Sequence, residues 1–368
     1  MPFMFFLSGL FVWPSLARRG AWTFVRHRLV RIGVPFLIGV YVLMPLAYFP
    51  VYRVAAVDPS WSAYWSQWKA LPFAPSGPLW FLWQILVFDI TAAALFVLAP
   101  AAGTWLARLS RTAGDFPGRC CIVLTVVCAV CYLPLAALFT PWDLGQIGPF
   151  AYFPNRLLYF AVYFFAGVWV GMEGVDAGLL RSDGPLSRRW ALWSSVALLA
   201  SVAWMLLTAL TIDTAPIGIG PLPHADIAAN LMFAFASTAA CLGFAAVFLR
   251  FAGRPWPFAQ SLSDNAYGIY LTHYPFIVWL QYMLLGGSVL AVAKGAIVSG
   301  GSLFGSWIAV IALRRTSLGA FLIGAGPSVR LAQAGRRAID SQTVADPAGH
   351  SAPAASSSSG SKQGLIVS

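Results

Sequence analysis

Charge is what this chain has least of. Only 10% of its 368 residues are Asp, Glu, Lys or Arg, and there are just 12 acidic side chains and four histidines. A water-exposed surface ordinarily carries roughly 25% charged residues, so a soluble globular domain of this length is excluded. With acidic and histidine side chains so sparse, no metal site is expected. The five cysteines add little. Cys120, Cys121, Cys128 and Cys131 share one apolar run and Cys241 lies in another. The C-x-x-C spacing at Cys128 and Cys131 has no second pair and no nearby histidine, which reads as buried free thiols with no redox role.

What fills the deficit is apolar and aromatic. The chain is 59% hydrophobic, with 27 Phe, 16 Trp and 12 Tyr, and its mean hydropathy is +0.75. That composition suits lipid-facing helices with aromatic belts, and membrane lipids are the first expected partners. The formal net charge of +11 does not indicate a nucleic-acid partner. The basic residues sit in short clusters between apolar runs, which is a topogenic pattern and not a groove lined for phosphate.

A helical span needs roughly 20 mostly apolar residues. Nine stretches qualify, at residues 2–16, 32–49, 78–101, 120–139, 157–172, 190–212, 227–249, 266–285 and 289–313. The expected fold is therefore all-α, a polytopic transmembrane helical bundle of about nine spans. Residues 1–315 form the membrane domain. The Ala-, Ser- and Gly-rich residues 316–368 have no sustained apolar period and read as a disordered cytoplasmic tail.

Orientation follows from where Lys and Arg collect. Arg18, Arg19, Arg26, Arg28 and Arg31 follow the first span. Counting alternately, Arg108, Arg111 and Arg119 share that side, as do Arg181, Arg188 and Arg189, then Arg250 and Arg254, then Arg314 and Arg315. The opposite loops hold chiefly Arg53, Lys69 and Arg156. The arginine-rich side is expected to be cytoplasmic, with the C-terminus inside and the N-terminus outside. On the outer side, Trp61, Trp65 and Trp68 recur at near-helical spacing beside Tyr52 and Tyr64. They read as an interfacial helix, with a stacking platform for a sugar or lipid headgroup as the alternative.

Ionisable and polar groups inside the spans are the candidates for chemistry. Arg28 and Arg31 stand three apart before the second span, on one face of a helix, and suit a phosphate or carboxylate through paired hydrogen bonds. The eighth span opens Ser261-Leu262-Ser263-Asp264-Asn265 and continues through Tyr267, Tyr270, His273 and Pro275. His273 lies eight residues past Asn265, about 12 Å deeper by helical rise. It reads either as a proton shuttle or as a helix–helix hydrogen bond. Trp80 and Trp83 open the third span. Asp89, later in that span, is a buried carboxylate whose partner the sequence does not name. Gly301 and Gly305 form a G-x-x-x-G spacing that predicts close helix packing.

These stretches in this order resemble the acyltransferase type 3 family, whose membrane O-acyltransferases include O-antigen acetylases and the succinylase of periplasmic glucans. The matching segments are Phe3-Met4-Phe5-Phe6-Leu7-Ser8-Gly9-Leu10, then Arg28-Leu29-Val30-Arg31, then Leu79-Trp80-Phe81-Leu82, then Asn265 through His273. The resemblance covers residues 1–315. It implies an acyl transfer from cytoplasmic acyl-CoA, a co-substrate and not a bound cofactor, to a hydroxyl of a carbohydrate or lipid-linked glycan. The setting it implies is a bacterial inner membrane.

The family's R-x-x-R falls on Arg28 and Arg31, which would bind the donor. Its Y-x-x-Y-L-x-H falls on Tyr267, Tyr270, Leu271 and His273. His273 and Tyr270 become the expected catalytic pair, with Tyr267 and Trp80 along the substrate tunnel. The match begins at the family's second helix. The family's first helix carries a basic residue and the histidine taken as its base, so that helix is expected to be missing here. A transporter or flippase for a lipid-linked sugar, or a catalytically degenerate member, are the alternative readings.

Overall fold

The computed structural model describes residues 1–99, 103, 114–174, 177–211, 225–252 and 256–322. The expectations for Arg108, Arg111, Arg254 and the tail beyond Leu322 lie outside these residues. Helices stand at all nine expected positions. They are α1 (Pro2–Leu10) with α2 (Val12–Arg19), α3 (Ala21–Ala55), α5 (Trp80–Leu98) and α6 (Pro117–Leu138), with the short α4 (Trp61–Ala70) an additional helix between α3 and α5. There follow α7 (Leu157–Gly171), α8 (Trp190–Ala209), α9 (Ala225–Phe251), α10 (Pro257–Met283) and α11 (Ala291–Leu313). Six of them, α3, α5, α6, α8, α9 and α11, are long and apolar enough to cross a membrane.

Two boundaries differ from the sequence reading. The first span breaks at Phe11 and resumes to Arg19, because Pro14 has no N–H to offer the Leu10 carbonyl. The second does not begin at residue 32. It is one helix of 35 residues, about 52 Å long at 1.5 Å per residue, so Arg28 and Arg31 ride on the span itself and not on a loop before it.

Neighbouring helices run in the directions that nine alternating spans require. In α1 and α7, Phe6 lies against Gly167 and Leu10 against Gly171, a parallel pair. In α10 and α11, Leu280 meets Gly301 and Phe276 meets Gly305, an antiparallel pair. At Gly301 and Gly305 an added Cβ would come 2.8 Å from a side-chain carbon, so the expected close packing is present. The tighter contact is one the sequence reading passed over. Gly167 and Gly171 also form a G-x-x-x-G, and there a Cβ would strike the backbone carbonyls of Phe6 and Leu10. Backbone cannot swing aside as a side chain can.

Helices α3 and α10 are joined differently. Pro35 and Pro50 lack the N–H that would bond the carbonyls four residues back, those of Arg31 and Leu46. Side chains of α10 supply the missing donors. The Tyr267 hydroxyl donates to the Arg31 carbonyl at 3.0 Å, and the Trp279 indole N–H to the Leu46 carbonyl at 3.0 Å. The α3 backbone also widens into π turns over Leu29–Gly33 and Gly39–Leu43, just ahead of Pro35 and Pro45.

The segments joining α3 to α5 and α6 to α7 carry structure of their own. Ser60 caps α4 by accepting from the Ala63 N–H. Tyr64 on α4 is buried and donates to the Pro45 carbonyl at 2.6 Å; burial pushes its phenol pKa up. Trp61 and Trp65 stack on each other with centroids 6.1 Å apart and stay exposed. The loop read over residues 140–155 contains a hairpin, β1 (Gly145–Ile147) with β2 (Phe150–Tyr152). The Trp83 indole N–H donates to its Ala151 carbonyl at 2.8 Å.

Candidate functional site

A cavity of 590 Å³ lies between α1, α2, α3, α5 and α10. Its polar wall comes from Arg19, His27, Arg28, Arg31, Tyr267 and Tyr270, and its apolar wall from α1 and α5, with Leu7, Leu82 and Ile85. An apolar chamber with a few convergent polar groups is the usual form of a small-molecule site.

The arginines owe their placement to α3. An α-helix would set residues three apart about 60° from one another around the axis. The π turn starting at Leu29 falls between Arg28 and Arg31, yet both side chains reach the same cavity. The Tyr267 bond to the Arg31 carbonyl joins the arginine segment to the tyrosine segment.

Arg28 has the partner that the sequence left unnamed. Its Nε lies 3.3 Å from Oδ2 of Asp89, whose side chain is only 1% exposed. The contact is ionic: neither Asp89 oxygen has a hydrogen-bond partner among the described residues. The Arg28 guanidinium also sits 5.1 Å from the centre of the Phe24 ring, one turn earlier on the same helix. Arg31 has no ion pair among the described residues.

Four of the six residues predicted from sequence therefore meet at one cavity: Arg28, Arg31, Tyr267 and Tyr270. Tyr270 is tied in place, its hydroxyl donating to the Pro78 carbonyl. The other two stand apart from the cavity wall. His273 lies one turn further along α10, its Nδ1 2.6 Å from the Tyr270 carbonyl. A carbonyl only accepts, so Nδ1 carries the hydrogen; in the neutral ring Nε2 keeps its lone pair. Trp80 packs into an aromatic cluster with Phe5, Phe81, Phe153 and Phe160.

Sequence reasoning missed Arg19 and His27 as cavity residues, Arg19 having been read as a topology signal. It flagged Asp89 without its partner. The one available signal was that Asp89 is the sole ionisable group among the 19 residues of α5, which calls for a counter-charge on a neighbouring helix.

A family model described as an acyltransferase domain matches residues 1–311. No curated protein and no solved structure matches the chain.

Proposed function

This chain belongs to the acyltransferase type 3 family, and from that premise we propose that it moves an acyl group from cytoplasmic acyl-CoA to a hydroxyl of a carbohydrate or lipid-linked glycan. Acetyl and succinyl are the acyl groups the resemblance suggests. The observation that carries the proposal is the convergence of Arg28 and Arg31 on one cavity with a largely apolar opposite wall. Coenzyme A is a multiply phosphorylated thiol, and guanidinium forks suit its phosphates and the thioester carbonyl. The charge alternation supports a cytoplasmic position for the arginines and for the C-terminus, and with it an inner-membrane enzyme.

In the reaction the acceptor hydroxyl oxygen attacks the thioester carbonyl carbon. The C–S bond breaks, the acyl–oxygen ester forms, and the hydroxyl proton passes through a base to the departing sulfur, leaving free coenzyme A. His273 Nε2 has the lone pair for such a transfer, one turn beyond Tyr270. Tyr270 and Tyr267 line the path, and Trp80 stiffens its outer end through the aromatic cluster.

The test is label transfer in membrane vesicles supplied with radiolabelled acetyl-CoA or succinyl-CoA. Arg28→Gln and Arg31→Gln are each expected to lose at least 100-fold in rate while still inserting and purifying as monodisperse protein. An unchanged rate in either variant overturns its donor-binding role. His273→Ala is expected to lose at least tenfold in rate at normal yield, and an unchanged rate removes the histidine from the proton path.

A further inference from the structure

We propose that Asp89 sets Arg28 apart from the other cavity arginines, holding it as a hydrogen-bond donor within a pair of no net charge and leaving Arg31, with Arg19, to attract the anionic donor. The inference rests on the acyl-CoA reading above.

Asp89 lies on the buried face of α5, flanked by buried Ile85, Phe88, Ala92 and Ala93. A carboxylate among such neighbours is tolerated only with a counter-charge, and among the described residues Arg28 alone comes within ion-pair distance. The contact is made at Nε, the nitrogen nearest the backbone. A guanidinium has five N–H bonds, so pairing at Nε leaves the four on the terminal nitrogens available. With Asp89 holding Nε and the Phe24 ring against the guanidinium, Arg28 is restrained at two points. Its side chain is 22% exposed and lines the cavity.

The charge count follows from the same contact. Arg28 and Asp89 cancel, so this pair adds no net attraction for a phosphate. Arg31 is three residues on, exposed, and without an ion pair among the described residues. With Arg19, which is also exposed and lines the cavity, it supplies the net positive charge there. Electrostatic attraction sets how well a polyanion is captured, whereas a fixed donor sets how well the reacting carbonyl is aligned. Asp89 is thus a positioning residue that acts through Arg28.

The two effects separate in steady-state kinetics with acetyl-CoA or succinyl-CoA, whichever the wild type uses. Asp89→Asn is expected to lower kcat at least tenfold and to leave KM for the donor within twofold or below the wild-type value, because the site gains a positive charge. Asp89→Glu keeps the charge and is expected to recover part of kcat. A buried carboxylate can also matter for folding alone, so the Arg28→Gln and Asp89→Asn/Arg28→Gln variants complete a cycle. The double variant buries no unpaired charge, and its kcat is expected to match that of Arg28→Gln alone.

An unchanged kcat in Asp89→Asn overturns the inference. So does a raised KM at constant kcat, or a double variant that loses the two single factors multiplied. If the wild type transfers neither acyl group, the functional reading itself fails. A wild type that transfers label beside an unaffected Asp89→Asn sinks this inference alone.

Discussion

The α1–α7 and α3–α10 contacts are both parallel helix pairs, yet they are built on opposite principles. In the first, glycines on both helices let backbone meet backbone, with Gly9 against Phe164 and Gly167 against Phe6. An added Cβ at Gly9 or Gly167 would strike the opposing backbone carbonyl. In the second, prolines remove backbone donors from α3, and Tyr267 and Trp279 of α10 replace them. Side-chain hydrogen bonds join those helices, and the cavity with Arg28 and Arg31 lies at the end where Tyr267 reaches across. In a bilayer, where lipid is as apolar as leucine, close van der Waals contact is what makes a seam rigid. Proline-freed carbonyls are what let a neighbouring helix be held by hydrogen bonds.

The largest effect should come from closing the tight seam. Gly167→Val puts a branched side chain into the Phe6 carbonyl and should leave almost no monodisperse protein after detergent extraction; normal yield would show that the seam gives way. Next comes Arg31→Gln in the open seam, which should cost at least 100-fold in label transfer with normal yield.

Tyr267→Phe removes one donor and should destabilise the protein by about 1 kcal/mol, read as a lower melting temperature in detergent. Trp279→Phe should cost a similar amount but leave transfer unchanged, since it lies away from the cavity. The cause can be checked directly. Pro35→Ala restores an N–H for the Arg31 carbonyl, so in that background Tyr267→Phe should cost less; an undiminished cost would mean that the missing N–H is not the reason for the bond. The smallest effect belongs to the outer face. Trp65→Ala should shift stability by less than about 0.5 kcal/mol, as exposed substitutions do, and a large loss of transfer would favour a stacking platform for the acceptor.

Much of this was legible beforehand, for identifiable reasons. Each apolar run of roughly 20 residues leaves a chain few options except a helix in lipid, so all nine positions could be read directly. The four cavity residues that came together sit at helical spacing in two short polar stretches. What escaped were relations between distant segments. Asp89 could be seen as anomalous, but not assigned to Arg28, because 61 residues separate them along the chain. The β1–β2 hairpin escaped because two strands of three residues each carry too little pattern. His273 and Trp80 were grouped with the arginines by motif order, which says nothing of which wall of a cavity a side chain reaches.

Composition and periodicity, by themselves, determined that this is a multi-pass helical membrane protein. They also set the alternating direction of its helices and the identity of the polar groups available to it. A burial requirement acts on every residue locally, so it leaves its mark along the chain. Which helices touch, which carbonyls Tyr267 and Trp279 satisfy, and which arginine Asp89 neutralises were decided only by the tertiary structure. Those pairings depend on distances across the bundle, and one-dimensional spacing carries no record of them.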